Sequence, residues 1–247
     1  VLGTAKGVDY LSGGIAGVGA YYAGWDGSAD KLFTTRTQRD YAAFIVPVGA
    51  FTFSVSQHEA AGSTTFGTGT TGATAATYGG SAAPVTTLSA TYTAGPLVAN
   101  GQYGVYKNSG LPNGTTPNAK DTTRLAASYD LGMVKLGGGL VITNHTAPAT
   151  AGANAAKTSD YLIAAKLPMG ASSFGLTYAS RTYADYVQGT SATGTGYSLE
   201  YGYAMSKRTS VIANYGRWTP VLGAAMTGNT VTSDASSQYQ LLLNHTF

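Results

Sequence analysis

Apolar side chains recur at every second position through most of this chain, and that period restricts its fold more than any other feature. The last ten residues give the clearest case. Counting back from Phe247, positions His245, Leu243, Leu241 and Tyr239 are large and mostly apolar, whereas Thr246, Asn244 and Gln240 are polar. Successive side chains of a strand leave opposite faces, so such a segment has one greasy and one wet face. The same alternation can be read at 41–46, 50–58, 85–93, 97–106, 122–130, 133–143, 159–167, 172–181, 196–204 and 208–218. With 237–247 this predicts an all-β chain of about eleven amphipathic strands.

Something must cover the greasy faces. Charged residues make up only 10% of the chain, against about 25% in an ordinary soluble domain. Yet no run approaches the ~20 apolar residues that a spanning helix needs, and the longest apolar stretch, 41–50, is cut by Pro47. A membrane-spanning β-barrel resolves the conflict, because alternating strands average to neutral hydropathy. Cysteine is absent, which fits an oxidising compartment. No secretory h-region opens the chain, so the expectation is that any signal peptide has been removed.

The connections alternate in length. Short ones fall at Pro47-Val48-Gly49, Ala94-Gly95-Pro96, Asp130-Leu131-Gly132, Pro168-Met169-Gly170 and Met205-Ser206-Lys207. Long ones, at 59–84, 107–121, 144–158, 182–195 and 219–236, are rich in Gly, Ala, Thr, Asn and Ser. Up-and-down barrels have this asymmetry, with short turns at one rim and long loops at the other. An odd number of strands does not close an antiparallel barrel, so at least one more is required. Val1 to Gly7 could supply it, giving a complete barrel of twelve; otherwise the chain is the C-terminal part of a larger one.

Catalysis has little support. The three histidines are His58, which ends a strand beside Glu59, His145, in a long loop, and His245, on the apolar face. None has metal-ligand spacing to another His, Asp or Glu, and no Gly-x-Ser-x-Gly elbow is present. The Gly-Thr-Gly-Thr-Thr-Gly run at 67–72 matches a dinucleotide-binding pattern only formally, since no helix follows it. No cofactor, metal or nucleic-acid partner is expected.

Alternation sends Arg124, Lys166, Arg181 and Glu200 to the face opposite the apolar set, as with Arg181 beside Leu176 and Tyr178. A charge on the lipid face would cost ~2–4 kcal/mol at the midplane, so these four are expected to face the lumen. Tyr106, Tyr129, Tyr201, Tyr203, Tyr215 and Trp218 lie near strand ends, where aromatic girdles meet the headgroups.

Several stretches resemble the general porins of Gram-negative bacteria. The run from Tyr203 through Ser206-Lys207-Arg208-Thr209 to Tyr215 is similar to their penultimate hairpin, and Leu243-Asn-His-Thr-Phe247 to their closing strand. Tyr129 to Leu136, and Arg36 through Pro47 to Phe51, resemble porin strand pairs. The resemblance implies a transmembrane antiparallel up-and-down barrel, sixteen-stranded in the full protein, about five strands of which precede Val1. It also implies association as a homotrimer. Residues 1–7 then end a strand, 8–35 form the constriction loop that folds into the lumen, and 36–247 supply the strands of a single barrel domain.

Function follows from that resemblance as an expectation. The chain would form a water-filled outer-membrane channel for passive diffusion of small hydrophilic solutes and ions, mildly anion-preferring, in contact with the lipid bilayer and lipopolysaccharide. A substrate-specific channel and a structural or adhesin barrel are the rival expectations. Constriction charges would come from Lys6, Asp9, Asp26, Asp30, Lys31, Arg36 and Arg39, because a narrow low-dielectric passage focuses the field of a basic wall facing an acidic loop. Arg36 corresponds to an arginine that points into the eyelet. Tyr21, Tyr22 and Trp25 would pack the loop to the wall, and Phe247 would belong to the signal read during outer-membrane assembly.

Overall fold

The structure, a computed structural model, describes residues 1–6, 15–20, 38–59, 84–107, 119–145, 157–184, 191–219 and 236–246. Twelve strands account for most of them: β1 (Leu2–Lys6), β2 (Gln38–Val48), β3 (Phe51–His58), β4 (Val85–Ala94), β5 (Leu97–Tyr106), β6 (Ala119–Asp130), β7 (Lys135–His145), β8 (Lys157–Met169), β9 (Ser172–Ala184), β10 (Ser191–Ala204), β11 (Thr209–Thr219) and β12 (Ser236–His245). They form one sheet in chain order, each antiparallel to the next. The strand beyond the eleven expected from the period is β1, which pairs from Leu2 opposite Ala42 to Lys6 opposite Gln38. Among the described residues no ladder joins β12 to β1, and no helix is long and apolar enough to cross a membrane.

Hairpins β2–β3, β4–β5 and β8–β9 turn on Gly49-Ala50, Gly95-Pro96 and Gly170-Ala171, with φ of 59°, 53° and 61° at the glycines. A glycine with positive φ at the first of two turn positions matches the II′ hairpin, whose twist continues that of the strands. Two expected turn prolines lie in strands instead. Pro47 pairs with Thr52 and Pro168 with Ser173. The ladder from β1 stops at Ala42 and that from β7 stops at Lys166, so each proline sits where its strand has become an edge. A residue without an N–H is tolerated there.

The long connections shrink on one side of the sheet. A loop was expected over 182–195, but β9 and β10 run on to Ala184 and from Ser191. The Thr182 and Thr193 hydroxyls meet at 2.9 Å. Small residues that read as loop therefore extend the longest hairpin of the wall. His145, expected in a loop, is the last residue of β7, buried and hydrogen-bonded through Nε2 to the Thr158 hydroxyl at 2.8 Å.

The two faces differ in kind. Leu88, Leu125, Ile163, Leu176, Leu199, Leu241 and Leu243 stand on one face and are exposed. Large apolar groups left in water would forgo ~25 cal/mol per Å², so an apolar solvent must cover this band. Aromatic pairs stand on the same face: Phe51 with Tyr92, centroids 4.8 Å apart, Phe174 with Tyr201 at 5.0 Å, and Tyr215 with Tyr239 at 5.3 Å. Tyr106 and Trp218, expected in a girdle, point the other way. Tyr106 is buried with Val85 and Ala119, and Trp218 packs on an apolar cluster of the opposite face. Their strands simply put those positions on the other side of the alternation.

Candidate functional site

The face opposite the apolar band is polar and largely covered. Its strands carry Asn100, Thr122, Thr158, Thr177, Ser198 and Asn214 at buried positions. Hydrogen bonds cross the strands, such as Asn100 Nδ2 donating to Thr91 Oγ1 at 2.8 Å and the Ser54–Ser89 hydroxyl pair at 2.7 Å. Polar groups belong on this face because neighbouring polar side chains can pair with them there, whereas hydrocarbon would leave them unpaired.

Among the described residues two ion pairs lie in it. Asp160 on β8 and Arg181 on β9 are direct cross-strand neighbours. The guanidinium donates from Nε to Asp160 Oδ1 at 2.6 Å and from one terminal nitrogen to Oδ2 at 2.5 Å. Their side chains are only 5% and 4% exposed. A forked contact between buried partners is held firmly, because two charge-assisted hydrogen bonds form where water is excluded and losing either partner costs the other its closest opposite charge. The second pair is looser. Lys166 Nζ and Glu200 Oε1 are 3.5 Å apart, with side-chain exposures of 39% and 5%. They sit on β8 and β10, with Gly175 of β9 between them in register. Only the missing side chain at Gly175 lets them meet across a strand. The row continues through Lys135 and Asp130 on one side and Asn214 on the other.

The segment 15–20 lies on this same face. Ala16 is 0% and Ala20 3% exposed. Ala16 belongs to a cluster with Ala126, Val141, Leu162, Ala164 and Ala179, against which Ile15, Val18 and Trp218 pack. The Val18 N–H donates to the Ala16 carbonyl at 3.0 Å, a tight local turn. The segment thus crosses β7 to β9 on the side away from the apolar band.

Arg124, Lys166, Arg181 and Glu200 share the polar face, as expected from alternation. Lys6 and Arg39 lie in β1 and β2, where Lys6 pairs with Gln38 and Arg39 with Ala5; their side chains are outside the described residues. Asp9, Asp26, Asp30, Lys31, Arg36 and Phe247 are also outside them, as are Tyr21, Tyr22 and Trp25. Sequence reasoning missed Asp160 and Lys135. Asp160 carries the signal, since it shares the parity of Lys166 once β8 is started at Lys157.

A one-sheet, up-and-down wall with a polar face and an apolar outer band defines a membrane-spanning β-barrel. A family model described as Gram-negative porin matches residues 2–219, and the chain belongs to that family, whose place is the bacterial outer membrane. Similar solved structures include an anion-selective porin from Comamonas acidovorans, with a TM-score of 0.58 at 20% identity, covering 90% of this chain and 64% of that one. A porin structure refined at 1.8 Å resolution gives 0.56 at 16% identity, covering 85% and 62%. A loop L8 deletion mutant of OmpT, an outer membrane protein of Vibrio cholerae, gives 0.56 at 12% identity, covering 99% and 74%. Identities this low speak to the fold alone. The chain spans less than two thirds of the first two proteins' length. No curated protein matches significantly.

Proposed function

We propose that the chain is part of an outer-membrane porin that lets small hydrophilic solutes and ions diffuse passively through a water-filled lumen. The observation that carries this reading is the pairing of faces: on β4, β5, β6, β8, β9 and β10, exposed apolar side chains stand on one side and buried polar or charged ones on the other. Nothing in that arrangement requires an energy source. The position of 15–20 on the polar face supports the reading of 8–35 as a constriction loop, with Lys6, Asp26, Asp30, Lys31, Arg36 and Arg39 contributing its field.

A mild anion preference is part of the proposal. On the described polar face Arg124, Lys135, Lys166 and Arg181 stand against Asp130, Asp160 and Glu200, and the whole chain has a formal net charge of +3. One similar protein is itself named an anion-selective porin. Association as a homotrimer and contact with lipopolysaccharide belong to the same reading, as does Phe247 in the assembly signal. Phe247→Ala is expected to lower the amount of folded protein in the outer membrane while leaving the conductance of each assembled channel unchanged; normal amounts remove Phe247 from that role.

Single-channel recording of the full-length protein in a planar bilayer tests the proposal. An ohmic conductance with a reversal potential favouring anions in a salt gradient is expected. Block by one solute class at low concentration would instead favour a substrate-specific channel, and the absence of current would favour a structural or adhesin barrel.

A further inference from the structure

Segment 15–20 approaches the wall more closely than side chains allow. A Cβ placed on Gly19 would lie 2.0 Å from the Leu176 carbonyl oxygen and 2.7 Å from Thr177 Oγ1. One on Gly137 would lie 2.3 Å from the Ala16 carbonyl oxygen, and one on Gly175 2.8 Å from the Gly19 carbonyl carbon. Backbone therefore meets backbone at two places, β7 and β9, and each contact needs glycine because any Cβ would overlap main-chain atoms that cannot rotate away. Glycine is not simply cheap throughout this sheet. Gly138, the neighbour of Gly137 on the apolar side, has its nearest atoms at 3.5 and 3.9 Å, which is ordinary contact.

We propose that Gly19 of the segment, with Gly137 and Gly175 of the wall, forms a seat that fixes how far the segment stands off the wall and so sets the open cross-section of the lumen. The proposal rests on the reading of the chain as a diffusion channel. Between the two contact points the underside is apolar: Ala16, Ile15 and Val18 lie on Ala126, Val141, Leu162 and Ala164. Lifting the segment would bare these groups to lumen water, which opposes its swinging free. Lys166 and Glu200 stand either side of Gly175, so the seat also puts the Gly19–Ala20 edge beside that ion pair. The glycines act as positioning residues: they touch no solute, and they set where the segment stands.

A Cβ at Gly19 must move the segment by roughly 1.4 Å or more before ordinary contact distances return. Gly19 is outside every strand, so Gly19→Ala leaves the wall ladders intact. Recorded in planar bilayers, Gly19→Ala and Gly137→Ala are each expected to change single-channel conductance by a factor of about two, since pore diameter governs passage. Gly138→Ala, on the same strand, is expected to conduct as the wild type does. Wild-type conductance in a folded Gly19→Ala channel overturns the proposal. If that variant does not assemble, Val18→Ala carries the test, because it only trims methyl groups from the underside. Raised open-channel noise is then expected, and wild-type noise overturns the seat. A wild-type protein that passes no current overturns the channel reading itself.

Discussion

Adjacent residues of β4 meet opposite surroundings. Leu88 is 57% exposed on the apolar face, while Ser89, one position on, shares a hydrogen bond with Ser54 on the polar face. Across the sheet the same step separates Leu199 from Glu200 and Leu176 from Thr177. In a soluble sandwich the apolar side would be the buried one; here the large apolar groups are exposed and the polar and charged groups are covered. The inversion shows that hydrocarbon solvates one face and water the other, with the strand's two-residue period as the only partition between them.

The largest expected effect breaks the polar side. Asp160→Ala takes the forked carboxylate partner from the Arg181 guanidinium in a buried site, at a cost of about 3–5 kcal/mol. Urea unfolding from lipid vesicles measures it, and a loss below about 1 kcal/mol would mean that lumen water reaches the pair as freely as a surface one. The apolar side comes next. Leu88→Arg is expected to cost ~2–4 kcal/mol, whereas Ser89→Arg forfeits little more than one hydrogen bond, about 1 kcal/mol. Equal costs would erase the difference between the faces.

Smallest in stability, but visible in current, is Glu200→Gln. Its partner Lys166 is 39% exposed, and Gln keeps the shape of the buried side chain, so folding should change by about 1 kcal/mol. Removing an acidic group from the polar face should still move the reversal potential in a salt gradient toward anions. An unmoved potential would show that Glu200 is screened from the ion path.

Much of this wall was legible because its period is short and local. Leu88, Leu125, Leu176 and Leu199 fell on the expected face, and Arg124, Lys166, Arg181 and Glu200 on the other, from alternation alone. Strand ends were harder. Pro47 and Pro168 looked like turn residues, and only the stagger of neighbouring ladders makes them acceptable in strands. The Gly, Ala and Thr residues around Thr182 and Thr193 looked like loop, yet their cross-strand hydroxyl contact carries β9 and β10 further. Tyr106 and Trp218 lie near strand ends, as girdle residues do, but parity turns both to the polar side. The seat of 15–20 on Gly137 and Gly175 depends on contacts between distant parts of the chain, for which no local pattern exists.

If the polar face lines a water-filled passage, side chains on it are open to reagents dissolved in that water. The chain contains no cysteine, so a single introduced thiol reports its own surroundings without background. Ser89→Cys and Leu88→Cys, each made in the full-length protein, can be treated during single-channel recording with a charged thiol reagent that does not cross lipid. Modification at position 89 should step the current down within the recording, while position 88, facing hydrocarbon, should give no change. Steps at position 88 with none at 89, or at neither position in a conducting channel, would contradict the account.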